Sequence, residues 1–241
     1  MHDDHRSDAL RAETPAEQYD RWYAGSADGS GPYDSYDKPY RDSHYFPLYK
    51  GVLDEVVRLG GRRVLEVGCG SGSFAHLLLD QSKLDYHGYD FSEVAVRKAR
   101  ARTGRPELFS VAQAGDGTMQ RHEHDTVVCL EVLEHIENDL EVVESWKPGV
   151  QCVCSVPNFD QPDHVRFFRT EDEVLRRYEG MINMSSIRRV PRALVRGRGW
   201  AEYFRQLRWS RNDPKRVLGM LGINTFENIA GWLLFSGRRR G

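Results

Sequence analysis

Apolar positions recur along this chain in two rhythms, short continuous runs and one-sided stripes. Val64 to Val67 and Thr126-Val127-Val128-Cys129-Leu130 are near-continuous runs, as expected of parallel strands buried on both faces. Leu48, Val52, Val56 and Leu59 repeat on one helical stripe, which predicts a helix over 44–59 ended by Gly60-Gly61. The same reading predicts strands over 64–67, 84–90, 108–112, 125–131, 150–156, 181–190 and 229–236. It predicts further helices from Phe74 onward and over 93–102, 139–146 and 171–179. Ser92 is a candidate N-cap, and Thr170-x-x-Glu173 a capping box. Strands that alternate with helices predict an α/β fold, a doubly wound, mostly parallel sheet.

The first predicted strand runs directly into Gly68-Cys69-Gly70-Ser71-Gly72 and then into a helix. A strand, a glycine turn and a helix N-terminus form a concave surface of backbone N–H groups that a ligand can approach closely. The spacing is Glu-x-Gly-x-Gly-x-Gly from Glu66, and Ser73 stands where the dinucleotide fingerprint wants glycine. Asp90 follows Gly72 by 18 residues, at the end of the second predicted strand, about where a ribose-binding acid belongs.

Together these residues resemble the class I S-adenosylmethionine (SAM) dependent methyltransferases, in particular the small-molecule enzymes of the ubiquinone-pathway type. The resemblance implies SAM as cofactor and a seven-stranded sheet whose last strand lies antiparallel between the fifth and sixth. It implies a cofactor-binding set of Tyr19, Glu66, Gly68, Gly70, Asp90, Gln113, Ala114 and Leu130. Gln113 falls where the family often has an adenine-binding acid, and Asp116 competes for that role. Residues 1–50 are rich in aromatics and resemble the lid that closes over SAM, leaving 51–241 as the SAM-binding domain. Residues 191–228 form an insertion between the last two strands, leaving the sheet on the ligand side.

Glu131-Val132-Leu133-Glu134-His135 follows the fourth strand and is also similar to the small-molecule family. The ordinary pKa of histidine suits His135 to taking a proton from an acceptor near neutral pH, and His164 is the second catalytic candidate. Glu131, Glu134, His135 and His164 also resemble the metal set of RNA 2′-O-methyltransferases. That alternative function stays open beside a non-catalytic nucleotide-binding module; no metal is assigned.

Bulk properties narrow the class. The chain has 241 residues, a net charge of −2 and 39% apolar residues, which argues against a general nucleic-acid coat and suits one decorated α/β domain. No stretch is long and apolar enough for a bilayer, and no secretory leader is recognisable. Cys69, Cys129, Cys152 and Cys154 fall in or beside strands, as buried thiols of a cytoplasmic protein would. The resemblance implies a small-molecule acceptor; no membrane partner is expected, and a nucleic-acid partner only under the RNA alternative. Arg192, Arg196 and Arg198 in the insertion suggest an acceptor that bears an anion. Acceptor identity, the atom methylated and oligomeric state are not legible.

Overall fold

The structure is a computed structural model that describes residues 11–25, 37–191 and 230–241, together with Arg208. Arg192, Arg196 and Arg198, and with them nearly all of the 191–228 insertion, lie outside the described residues.

Among the described residues seven strands form one sheet: β1 (Arg63–Val67), β2 (Asp85–Asp90), β3 (Phe109–Val111), β4 (Thr126–Leu130), β5 (Gln151–Pro157), β6 (Ile182–Pro191) and β7 (Gly231–Arg239). Their order is β3-β2-β1-β4-β5-β7-β6. β7 is antiparallel to both of its neighbours and the remaining pairs are parallel, so the expected topology holds. Successive side chains enter opposite cores. Val128 and Leu130 join one, Val127 and Cys129 the other. Cys152 and Cys154 point into the same core, and all four cysteines are buried and unbridged.

Helices α2 (Phe46–Leu59), α3 (Ser73–Gln81) and α4 (Glu93–Thr103) cover one face, and α5 (Asp139–Glu144) and α6 (Glu171–Tyr178) the other. The helix expected from His44 starts at Phe46 because Pro47, which lacks an N–H, takes its first turn. α5 stops at Glu144, short of the expected Trp146. β7 runs on to Arg239, whose side chain reaches the Glu144 carbonyl at 2.6 Å. Ser92 caps α4 by accepting from the Ala95 N–H at 3.0 Å. The box at α6 is shifted by one on its return arm. Thr170 accepts from the Glu173 N–H, while Glu173 accepts from the Arg169 N–H, not from that of Thr170.

The sheet order reverses between β1 and β4, and there the carboxyl ends of β1, β2 and β4 open a crevice. Pro191 pairs with Gly231, and Trp232 with Pro157. The insertion thus departs and returns at the crevice end of the sheet.

Candidate functional site

At the end of β1 the chain turns through Gly68 (φ 73°) and Gly70 (φ 50°). A Cβ at Gly68 would lie 2.2 Å from a methyl of Val132, and one at Gly70 would lie 2.8 Å from the Tyr23 hydroxyl. Only glycine satisfies both the backbone sign and the space. The Gly68 and Cys69 N–H groups each donate to the Tyr89 carbonyl at 2.8 Å, tying the loop to β2. Asp90 closes the arrangement, accepting from the Gly70 N–H at 2.8 Å and the Ser92 N–H at 2.9 Å. Burial raises its pKa to about 6 against these two bonds, so it is ionised at neutral pH.

Glu66 lies behind the loop, fully enclosed, and accepts from the Tyr86 hydroxyl. Burial pushes its pKa from 4.5 up to about 8, with Tyr86 opposing and the Asp90 charge adding. Between these two values the folded chain holds a proton that the unfolded chain releases. Stability therefore falls as pH rises from about 4.5 to about 8. Glu66→Gln, which cannot ionise, should flatten that slope in denaturant titrations across the range. An unchanged slope would mean that other groups produce it.

Past β3, Gln113 lines the crevice. Asp116 instead accepts from the Gln113 N–H at 3.2 Å and the Thr118 N–H at 2.7 Å, folding the turn beneath it. Ala114 and Leu130 complete this side.

Opposite the glycine loop, β4 is followed by Glu131, the only non-glycine among the described residues with positive φ, 56°. That region costs an L-residue roughly 1–2 kcal/mol. Its carboxylate is anchored by the Ser155 hydroxyl at 2.9 Å and the Trp232 indole N–H at 2.6 Å. The next turn carries Glu134 and His135. The His135 Nδ1 lies 2.9 Å from the Asp163 carbonyl, which can only accept, and 3.1 Å from the Tyr19 hydroxyl. The proton is therefore assigned to Nδ1, and Nε2 keeps its lone pair. Burial holds the His135 pKa below its ordinary value against the pull of Asp163, so the ring is neutral near pH 7. The His164 ring meets it edge-on with centroids 4.9 Å apart, and burial beside His135 lowers its pKa to about 4.

Glu134 is completely buried, and among the described residues neither of its side-chain oxygens has a hydrogen-bond partner. Burial, then the Glu131 charge, pushes its pKa well above the carboxylate range. The His164 Nδ1 is likewise unpartnered. One ligand atom from each of Glu134, His135 and His164 falls within 4.8 Å of the others. This nitrogen–oxygen set fits a divalent ion. Glu131 does not join it; its oxygens face Ser155 and Trp232.

The N-terminal segment crosses the opening. Arg11 pairs with Asp160 at 2.8 Å, and Glu13 and Glu137 exchange backbone-to-carboxylate bonds. Helix α1 (Ala16–Ala24) then docks on α4 through Asp20, which accepts from the Ser92 hydroxyl at 2.5 Å and the Val94 N–H at 3.3 Å. Tyr19, on the buried face of α1, packs edge-on against Phe91 and Trp22.

All ten residues singled out from the sequence line this one cavity: Tyr19, Glu66, Gly68, Gly70, Asp90, Gln113, Ala114, Leu130, His135 and His164. Sequence reasoning missed Asp163, Tyr23 and Tyr45 in its wall, and Trp232 behind Glu131. Asp163 stands beside His164 in sequence, which was a usable signal. For Trp232 there was none.

Residues 65–149 match a family model described as a methyltransferase domain. A ubiquinone biosynthesis O-methyltransferase of Dechloromonas aromatica is 32% identical over 129 residues, 50% of this chain and 54% of that protein. One from Nitrosospira multiformis is 31% identical over 111 residues, 43% and 46% respectively. The chain spans about half the length of these curated relatives. The N-methyltransferase NodS of Bradyrhizobium japonicum, solved with S-adenosyl-L-homocysteine, superposes with a TM-score of 0.59 at 17% identity, covering 94% of this chain and 98% of that one. The methyltransferase domain of bacterial CtHen1-CN gives 0.53 at 16% identity, covering 81% and 100%. At these identities the likeness is one of fold. Residues 65–149 are therefore similar to a methyltransferase domain, and the chain around them has the fold of the class I SAM-dependent methyltransferases.

Proposed function

We propose that this protein is a SAM-dependent methyltransferase that methylates an oxygen or nitrogen of a small-molecule acceptor. The observation that carries the reading is that the glycine loop, Asp90 and His135 face one cavity. The relatives named as O-methyltransferases support it, and they favour neither the RNA alternative nor the non-catalytic module. Bound SAM supplies a methyl group on a sulfonium, so the protein's work is alignment and the removal of one proton. The glycine turn would take the methionine end in the space that its missing side chains leave open, and Asp90 would receive the ribose hydroxyls with its remaining lone pairs. The His135 Nε2 takes the acceptor's proton, while Tyr19 and the rest of the lid segment exclude water. Calorimetric titration tests the cofactor half. SAM should bind the wild type and bind Asp90→Ala more weakly; equal heats in both would overturn it.

The Glu134, His135 and His164 set favours a second, metal-assisted form of the same reading. An ion held there would lower the pKa of an acceptor hydroxyl. Chelator should then abolish turnover, with recovery on adding Mg²⁺ or Mn²⁺ and SAM affinity unchanged throughout. Full activity in chelator leaves His135 acting alone.

The acceptor is proposed to carry a carboxylate or phosphate. No lysine or arginine is found among the described residues lining the cavity, so the task falls to the arginines of the insertion. Arg192→Ala, Arg196→Ala and Arg198→Ala should raise the acceptor KM with SAM affinity intact, and the loss should be smaller for an uncharged analogue. Equal losses for both acceptors would reject charge recognition.

A further inference from the structure

The turn that carries Glu134 and His135 leaves a row of inward carbonyls between β4 and α5, and a single arginine collects most of them. Arg166 Nη1 donates to the Leu133 carbonyl at 2.8 Å and to the Ile136 carbonyl, and Nη2 donates to the Glu137 carbonyl at 2.7 Å. Its own N–H and that of Val165 both donate to the Glu134 carbonyl, at 3.2 and 2.8 Å. The guanidinium is largely buried and lies 3.3 Å from Asp139, which has no exposed side-chain surface. Asp139 also binds Arg177 and accepts from the Tyr178 hydroxyl at 2.7 Å. Two cations and a hydroxyl thus surround one buried carboxylate, and the arrangement ties α5 and α6 to the turn.

We propose that Arg166 is the positioning residue of this site, setting His135 and Glu134 against His164. The proposal deepens the methyltransferase reading and, for its kinetic part, rests on it. Arg166 is not among the residues lining the cavity, so it acts through the groups it holds. His164 is two positions before it, on the segment that Arg166 fastens to the turn, and Asp163 of that segment orients His135. Releasing the guanidinium frees both sides of the histidine pair at once. The planar fork matters here. Its donors diverge toward carbonyls on different residues while one edge faces Asp139, a geometry a lysine ammonium cannot copy in full.

The test uses the full chain with ¹⁵N-histidine, comparing wild type, Arg166→Gln and Arg166→Lys. Long-range ¹H–¹⁵N spectra report each imidazole's tautomer without any methyl acceptor. In Arg166→Gln the His135 and His164 signals should shift or broaden as the Nδ1–H tautomer of His135 loses its fixed partner. His87 in β2 and His124 in the loop ahead of β4 should stay put. SAM affinity should be unchanged. With an acceptor in hand, kcat should fall by about 10- to 100-fold, as for a small misplacement of a reacting group, with the KM for SAM intact. Arg166→Lys should recover part of both signals; it also carries the test by itself if the glutamine variant does not fold. Unmoved His135 and His164 signals, or equal movement of His87 and His124, would overturn the proposal, the second by showing a general loosening. Because the spectra need no turnover, they decide the positioning role even where no acceptor is ever methylated.

Discussion

Gly70→Val abolishes SAM binding. Gly70 sits at φ 50°, where a β-branched residue is a rare outlier. Its new Cβ would stand 2.8 Å from the Tyr23 hydroxyl, and the two γ-methyls would project further into the cavity. The Gly70 N–H is also one of the backbone donors fixing Asp90, so distortion of the loop misplaces Asp90 as well. Strain of about 1–3 kcal/mol at the loop, added to the lost contacts, predicts an affinity loss of at least about a hundredfold. Calorimetry should show no saturable heat, with circular dichroism confirming that the fold persists. Wild-type affinity in this variant would remove the glycine loop from the cofactor site.

His135→Ala is the second large effect, and it falls on turnover. Glycine loop and Asp90 are untouched by it, so SAM affinity should stay at the wild-type value. Loss of a positioned base predicts a rate lower by about 10²–10⁴-fold. The pH profile gives an independent check. Burial holds the His135 pKa below its ordinary value, so wild-type activity should decline only as pH drops below that value. The same acid limb should be missing from the residual activity of the variant. A variant of full activity would reduce His135 to a structural residue.

What could be read in the chain was what its chemistry makes local. The glycine loop announces itself because positive φ and close approach demand glycine at fixed spacing, and Asp90 follows at the length of one βαβ unit. The buried strands show as apolar runs, and Ser92 as a cap one residue before its helix. Features made by contacts between distant segments were not legible. Trp232 reads as one more core aromatic in β7, yet its indole N–H reaches Glu131, one residue past β4. Nothing in Leu130-Glu131-Val132 signals a left-handed backbone at the glutamate. The orientation of Glu131 was hidden for the same reason: the resemblance to the RNA enzymes grouped it with Glu134 and His135, while the turn directs its carboxylate to Ser155 and Trp232. Gln113 and Asp116 could not be ranked from sequence, because which of them folds the turn depends on the geometry of the turn. Arg166 looked like one of many arginines; only the carbonyls of residues 133, 136 and 137 give it a task.

The central claim is methyl transfer from SAM at this cavity to a small molecule. It is tested most directly by incubating the protein with methyl-labelled SAM and fractionated metabolite extract, and following label by mass spectrometry. One metabolite should gain a single labelled methyl group with the wild type, and neither Gly70→Val nor His135→Ala should reproduce that gain. Tight SAM binding with no labelled product in any fraction would contradict the account and leave a protein that holds the nucleotide without using it.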